Sequence, residues 1–330
     1  MSCPRAYERR YLGLLAALVL AAGAGCGGDD DDDTAGPRDD YGGLVASART
    51  APAPLDAERA SRRPAALVRA ARASHVQVGE ALGPHRATAT SKLTIDADGA
   101  QADGDGEPLE QLETRVELSF AGPERFRAVL ENSADYGREV IYADDVLYLR
   151  PRYGRFHRRA PSDPGEPARI RDHVFAELGD HVALFAPALA VSDGGITEHE
   201  GRPARRVTLS LAEEPRAPAP GLLPQQAWRT GLGFESVRGE IVLDAATGVP
   251  LSATLEGSAR FEREGRPLRM HVVVEHRVEP LAAAPTVDAP EEWVATPLSS
   301  HEHEEREALL EGIAQPARPA PTPARAEETR

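Results

Sequence analysis

From about residue 86 the side chains alternate with a period of two. Ala89, Ser91, Leu93 and Ile95 fall on one side of the chain and Thr88, Thr90, Lys92 and Thr94 on the other, as a half-buried strand requires. An Asp/Gly stretch over 96–106 makes the turn, and Val116, Leu118 and Phe120 against Arg115, Glu117 and Ser119 give the return strand. Strands over 125–131, 139–142 and 146–150 follow, the last two joined tightly at Asp144-Asp145. Another hairpin spans 196–200 and 205–211. The cleanest alternation comes last: Leu251, Ala253, Leu255, Gly257, Ala259 and Phe261 face one way, and Met270, Val272, Val274 and Val278 return opposite them. Short spacings with turn residues between them predict an antiparallel meander of about ten strands.

Two stretches break the alternation. A cap at Ser61 with Pro64, Leu67, Val68 and Ala71 predicts a short amphipathic helix over 61–73. Ile170, Val174, Leu178, Val182 and Phe185 predict one helix over 167–185, with Arg169, Arg171, Glu177 and Asp180 elsewhere on its cylinder. Residues 213–233 are rich in Pro, Gly and Ala and read as a long loop around Trp228. Long strands with one apolar face must be covered. The fold class is therefore mainly β with covering helices: a half-open antiparallel β-barrel rather than a sandwich. Ala253, Gly257 and Ala259 are small residues on its inward face. They either leave a hollow or let a helix come close.

The first 26 residues place the protein. Arg5, Arg9 and Arg10 precede an apolar run from Leu12 to Ala22 that is short for a membrane span, followed by Gly23-Ala24-Gly25-Cys26. These features describe a secretory signal. Gly27, Gly28 and Asp29 to Asp33 look like a solvated tether. The expected organisation is a signal peptide over 1–25, an acidic tether over 26–60, a folded domain over 61–286 and an acidic Pro-rich tail over 287–330. The formal charge of −15 sits mostly outside the domain, since 27–60 and 287–330 each carry −6 and 61–286 only −5. No basic face suggests nucleic acid. After cleavage Cys26 is the remaining cysteine, so no internal disulfide holds the fold.

Gly23 to Cys26 resembles the lipobox of bacterial lipoproteins, with Gly23 where that family usually carries Leu. The resemblance implies a diacylated Cys26 and a protein anchored in the cell envelope and facing the periplasm. The outer membrane is favoured, because Gly27 replaces the Asp that retains some lipoproteins in the inner membrane. Pro123 to Arg127, Val129 to Glu131 and the hairpin Glu139 to Tyr148 resemble the lipoprotein-carrier family of the LolA/LolB type and the lipid-transfer lipoproteins of the LppX/LprG type. Asp244 to Leu251 resembles a later hairpin of the same families, and Asp145 stands where the first hairpin usually has Gly. The resemblance implies a concave apolar face holding lipid or lipoprotein acyl chains, exposed when covering helices move aside. The expected lipid-binding residues are Phe126, Leu130, Leu251, Ala253, Leu255, Gly257, Ala259, Phe261, Met270, Val272 and Val274. The alternative is an envelope scaffold with a fully packed sheet.

Other chemistry finds little support. The single lysine, Lys92, sits in no phosphate loop, and no Gly-x-Ser-x-Gly elbow occurs. His301 and His303 point apart on a helix, so His301 to Glu305 reads as a solvated acidic stretch. Asp103, Asp105 and Glu107 could hold calcium but suit a mobile turn equally. His173 and His181 flank the polar side of their helix, while His271 and His276 fall on opposite strand faces. No catalysis, cofactor or metal is expected, and the sequence leaves the oligomeric state open.

Overall fold

The structure is a computed structural model and describes residues 54–98, 108–218, 228–229 and 231–296. Cys26, the signal, most of the tether, the calcium candidates and the tail beyond 296 lie outside the described residues. No helix among those residues is long and apolar enough to cross a membrane.

Three short helices open the domain: α1 Ala57–Ala60, α2 Pro64–Ala71 and α3 His75–Leu82. Six strands follow, β1 His85–Ala97, β2 Glu110–Gly122, β3 Arg125–Asn132, β4 Gly137–Ala143, β5 Val146–Pro151 and β6 Phe156–Arg159. Helices α4 Glu166–Val174 and α5 Glu177–Phe185 come next. Strands β7 Leu189–His199, β8 Arg202–Leu211, β9 Gly233–Asp244, β10 Pro250–Arg263, β11 Arg266–Pro280 and β12 Trp293–Ala295 follow them in the described residues.

All twelve strands form one sheet, ordered β12-β6-β5-β4-β3-β2-β1-β11-β10-β9-β8-β7. Its two ends do not meet, so the half-open antiparallel barrel expected from the alternation is what the chain adopts. Among the described residues the one parallel pair is β12 on β6. The centre is the long register of β1 against β11, from His85 with Pro280 to Ala97 with Leu268. Turn chemistry fixes the register of the hairpins β4–β5, β7–β8 and β10–β11. Asp144-Asp145, Glu200-Gly201 and Glu264-Gly265 each place two successive residues at positive φ, the twist that two-residue hairpins require. Asp244 holds its turn by accepting hydrogen bonds from Thr247 N (2.9 Å) and Thr247 Oγ1 (2.7 Å). Gly248 lies so close to the start of α1 that a Cβ there would stand 3.0 Å from Asp56 N.

Several boundaries move. Ala57 and Ala60 are buried, so the fold starts before residue 61. Val287 is also buried, packing with Ile141, Ala143, Tyr148 and Phe156 on the outer side of β4–β6, so the fold runs past residue 286. The single helix expected over 167–185 is two helices, broken at Phe175, where ψ turns to 44°. The apolar spacing runs through the break unchanged, but each half serves a different part of the sheet. Short β6 and β12 carry no readable alternation and were not foreseen.

Candidate functional site

The inward face of the sheet divides into two lobes. In the first, β8–β11 with Leu93, Ile95 and Leu112 pack against α1, α2 and α5. In the second, β1–β5 pack against α3 and α4 through Val78, Phe120, Phe126, Val174 and Phe175.

The residues expected to hold acyl chains are all buried, but they do not form one surface. Ala253, Leu255, Ala259, Phe261, Met270, Val272 and Val274 share the first lobe. Phe126 and Leu130 belong to the second. Leu251 stands apart with Ala204, Val242 and Leu82, because a bulge between Pro250 and Ser252 shifts it out of register. Gly257 marks a close contact. A Cβ there would lie 2.6 Å from the ring of Phe185, which has no exposed surface. The small-residue stripe thus receives an aromatic side chain from α5. Phe234 lies against the same ring at 5.9 Å, and Trp228 against Phe261 at 5.6 Å. Clefts of about 430, 520 and 760 Å³ lie elsewhere, on the polar faces and rims of the sheet. Of the expected acyl-face residues, Ala253 alone lines any of these three.

The second lobe contains groups that the sequence reading passed over. Arg171 lies off the apolar row of its helix, as the spacing predicts, yet it has no exposed surface. Its Nε and Nη2 donate to both oxygens of Asp172 at 2.8 and 3.1 Å. Its guanidinium lies 5.3 Å from the rings of both Phe120 and Phe126, a stacking that lets arginine tolerate burial. His85 Nδ1 faces the carbonyl of Gly83 at 2.9 Å, which makes that nitrogen the donor. Its Nε2 then accepts from Nδ1 of His75 at 3.1 Å. Burial holds His85 and His276 down at about 4, and burial followed by neighbouring His85 and Arg171 holds His75 well below the ordinary histidine range. Phe175 sits between His75 and His276, with ring centroids 4.8 and 5.8 Å away. Alternation along β11 correctly separates His276 from His271, which is half exposed beside Glu256. His181 is not on a polar side: it is buried and its Nδ1 donates to the carbonyl of Glu177. Burial likewise raises Asp180, near Arg72. Among the described residues no three His, Cys, Asp or Glu side chains are placed to hold a metal ion.

No family model and no curated protein matches this chain. Solved structures similar to it include a LolA superfamily protein from Nitrosomonas europaea, at 11% identity over 63% of this chain and 88% of that one, TM-score 0.19. Another is the lipoprotein LppX of Mycobacterium tuberculosis, at 9% identity over 63% of this chain and 93% of that one, TM-score 0.22. A third is a DUF1329 family protein from Desulfovibrio piger, at 10% identity, 65% and 93% coverage and TM-score 0.21. The first two carry the family names that the hairpin motifs resemble. At these scores the architecture rests on this chain's own strand order.

Proposed function

We propose that this protein is a lipoprotein of the cell envelope, anchored through Cys26, that binds the acyl chains of a lipid or lipoprotein against the inward face of its half-barrel. One observation carries the reading. The space over Gly257, in the small-residue stripe of β10, is taken by the ring of Phe185, at the end of a nine-residue helix. An unclosed sheet covered by short helices can exchange that ring for an acyl chain without breaking strand pairing. Each methylene so buried contributes about 0.8 kcal/mol, so one or two chains offset the lost helix contacts. Capture and release need no covalent chemistry.

A second reading has its own support. Every expected acyl-face residue is already buried against the protein's own side chains, which suits a packed interaction module. Native mass spectrometry of the Cys26→Ser protein lacking its signal separates the two. One or two co-purifying lipids per chain support capture, and a clean protein mass supports the packed module. Loss of labelled palmitate and of membrane association in full-length Cys26→Ser tests the anchor, and retention of both would refute it.

A further inference from the structure

Where α3 and α4 meet the sheet, ionisable groups are buried among the apolar ones. His75 opens α3 and His85 opens β1 beneath it, with Nδ1 of His75 3.1 Å from Nε2 of His85. The two imidazoles stack at 5.4 Å, and His85 stacks in turn on Phe120 at 4.7 Å. Arg171 of α4 lies over the same Phe120 ring with no exposed surface. Phe175, at the end of α4, packs against His276, whose ring nitrogens have no hydrogen-bond partner among the described residues. Asp172 is already engaged: Oδ1 accepts from Arg171 Nε and His75 N, and Oδ2 from Arg171 Nη2. The other charged groups on these helices do not offset added protons. Burial and then Arg138 of β4 hold His173 toward the neutral form. Glu80 of α3 faces solvent, Arg202 reaches the carbonyl of Ala81 while paired with Asp244, and the pairs Arg159–Glu166 and Arg169–Asp163 close on themselves at the start of α4.

The two helices can also move together. The contact of His75 N with Asp172 joins them, and each ends at a backbone joint: Gly83, at φ 78°, after α3, and Phe175, at ψ 44°, between α4 and α5. The pairing of β1 with β2 and of β2 with β3 runs beneath them without their help.

We propose that α3 and α4 form an acid-opened lid over the second lobe: protons taken up by His75 and His85 beside Arg171 lift both helices off the sheet, while α5 keeps the first lobe covered. The inference holds under either reading of the function. One added proton can be accommodated by reversing the hydrogen bond between the imidazoles. A second sets two N–H groups head to head across 3.1 Å, beside a guanidinium and away from water, where like charges repel strongly. Opening hydrates the imidazoles and Arg171 and bares Phe120 and Phe126. Burial keeps His85 at about 4 in the closed form, against 6.5 for a histidine in water. Between those values the open form binds more protons, so opening rises as pH falls.

The test uses the Cys26→Ser protein without its signal, otherwise complete. Amide hydrogen exchange is followed at pH 7 and pH 4.5, corrected for the rate of an unstructured chain, beside urea unfolding at each pH. Opening of α3 and α4 should rise about 50-fold from the His85 difference alone. It should become more frequent than global unfolding, whereas α5 should open no more often than the whole protein unfolds. The double variant His75→Leu with His85→Leu should lose most of the rise. If that variant does not fold, His85→Leu alone takes its place and should remove the factor due to His85. A rise below about fivefold in the unmutated protein, opening of all three helices only as often as the whole protein unfolds, or an undiminished rise in the folded variant overturns the lid.

Discussion

The two lobes of one sheet solve the same covering problem with different chemistry. The first is almost wholly aliphatic where helix meets sheet, closed by Phe185 over Gly257. The second is lined with Arg171, His75, His85 and His276 among aromatic rings. Apolar area alone would favour the first arrangement in both places. The difference teaches that the second lobe gives up stability at neutral pH and places charge-sensitive groups at the helix–sheet contact itself, whereas the first meets the sheet by shape and keeps its ionisable pair, Asp180 with Arg72, among its covering helices. That contrast can be broken experimentally from either side.

The largest expected effect is on shape. Phe185→Ala removes the ring that fills the first lobe and should destabilise the protein by about 3–5 kcal/mol, measured by urea unfolding. Under the acyl reading, added oleate should restore part of that loss in Phe185→Ala. A cost below 1 kcal/mol would mean that Phe185 does not hold the lobe shut.

Acid should act on the other side. His85 and His276 sit at about 4 in the folded protein, against about 6.5 when unfolded. Between those values the unfolded chain binds more protons, so stability falls as pH drops below 6.5 and stops falling below about 4. Each histidine then accounts for about 3 kcal/mol between pH 7 and pH 4. His276→Leu should flatten the stability profile by roughly that amount and raise stability at pH 7, since it removes two unsatisfied ring nitrogens. A profile as steep as that of the unmutated protein would show that His276 is not the sensor.

Gly257→Val probes the first lobe in the opposite sense from Phe185→Ala. The new side chain must displace the Phe185 ring, whose nearest atoms would lie 2.6 Å from the added Cβ. Overpacking of this kind costs about 1–3 kcal/mol, and the paired substitution Gly257→Val with Phe185→Ala should recover part of the loss because the two sites share one space. Additive effects in that double-mutant cycle would contradict the contact.

The sheet was legible because its signals are local. Alternation in β1, β10 and β11 names the inward face residue by residue, and Asp144-Asp145, Asp244 and Gly265 mark where the chain turns. What escaped was non-local. Period alone could not say that Phe185 rather than a ligand meets Gly257, because that pairing joins residues far apart in sequence. Nor could it separate Phe126 and Leu130 from the β10 set, since the boundary between lobes is drawn by the break at Phe175. The burial of Arg171 escaped for a related reason. On a helical wheel it is polar and belongs outside, but Asp172 and the rings of Phe120 and Phe126 make an interior position tolerable.

The smallest expected effect sharpens the comparison most directly, because it asks whether the lobes open separately. Ser74 caps α3: its hydroxyl accepts from Gln77 N at 3.3 Å, and the Gln77 side chain accepts from Ser74 N at 3.1 Å. Ser74→Ala should cost about 1 kcal/mol, too little to unfold the domain. Since His75 begins that helix, the loss should fall on the lobe carrying the buried histidines. Amide hydrogen exchange should then quicken in α3 and in the neighbouring α4, which His75 N contacts through Asp172 at 3.2 Å, while α5 over β10 keeps its protection. Equal quickening in all three helices would mean that the cover moves as one body.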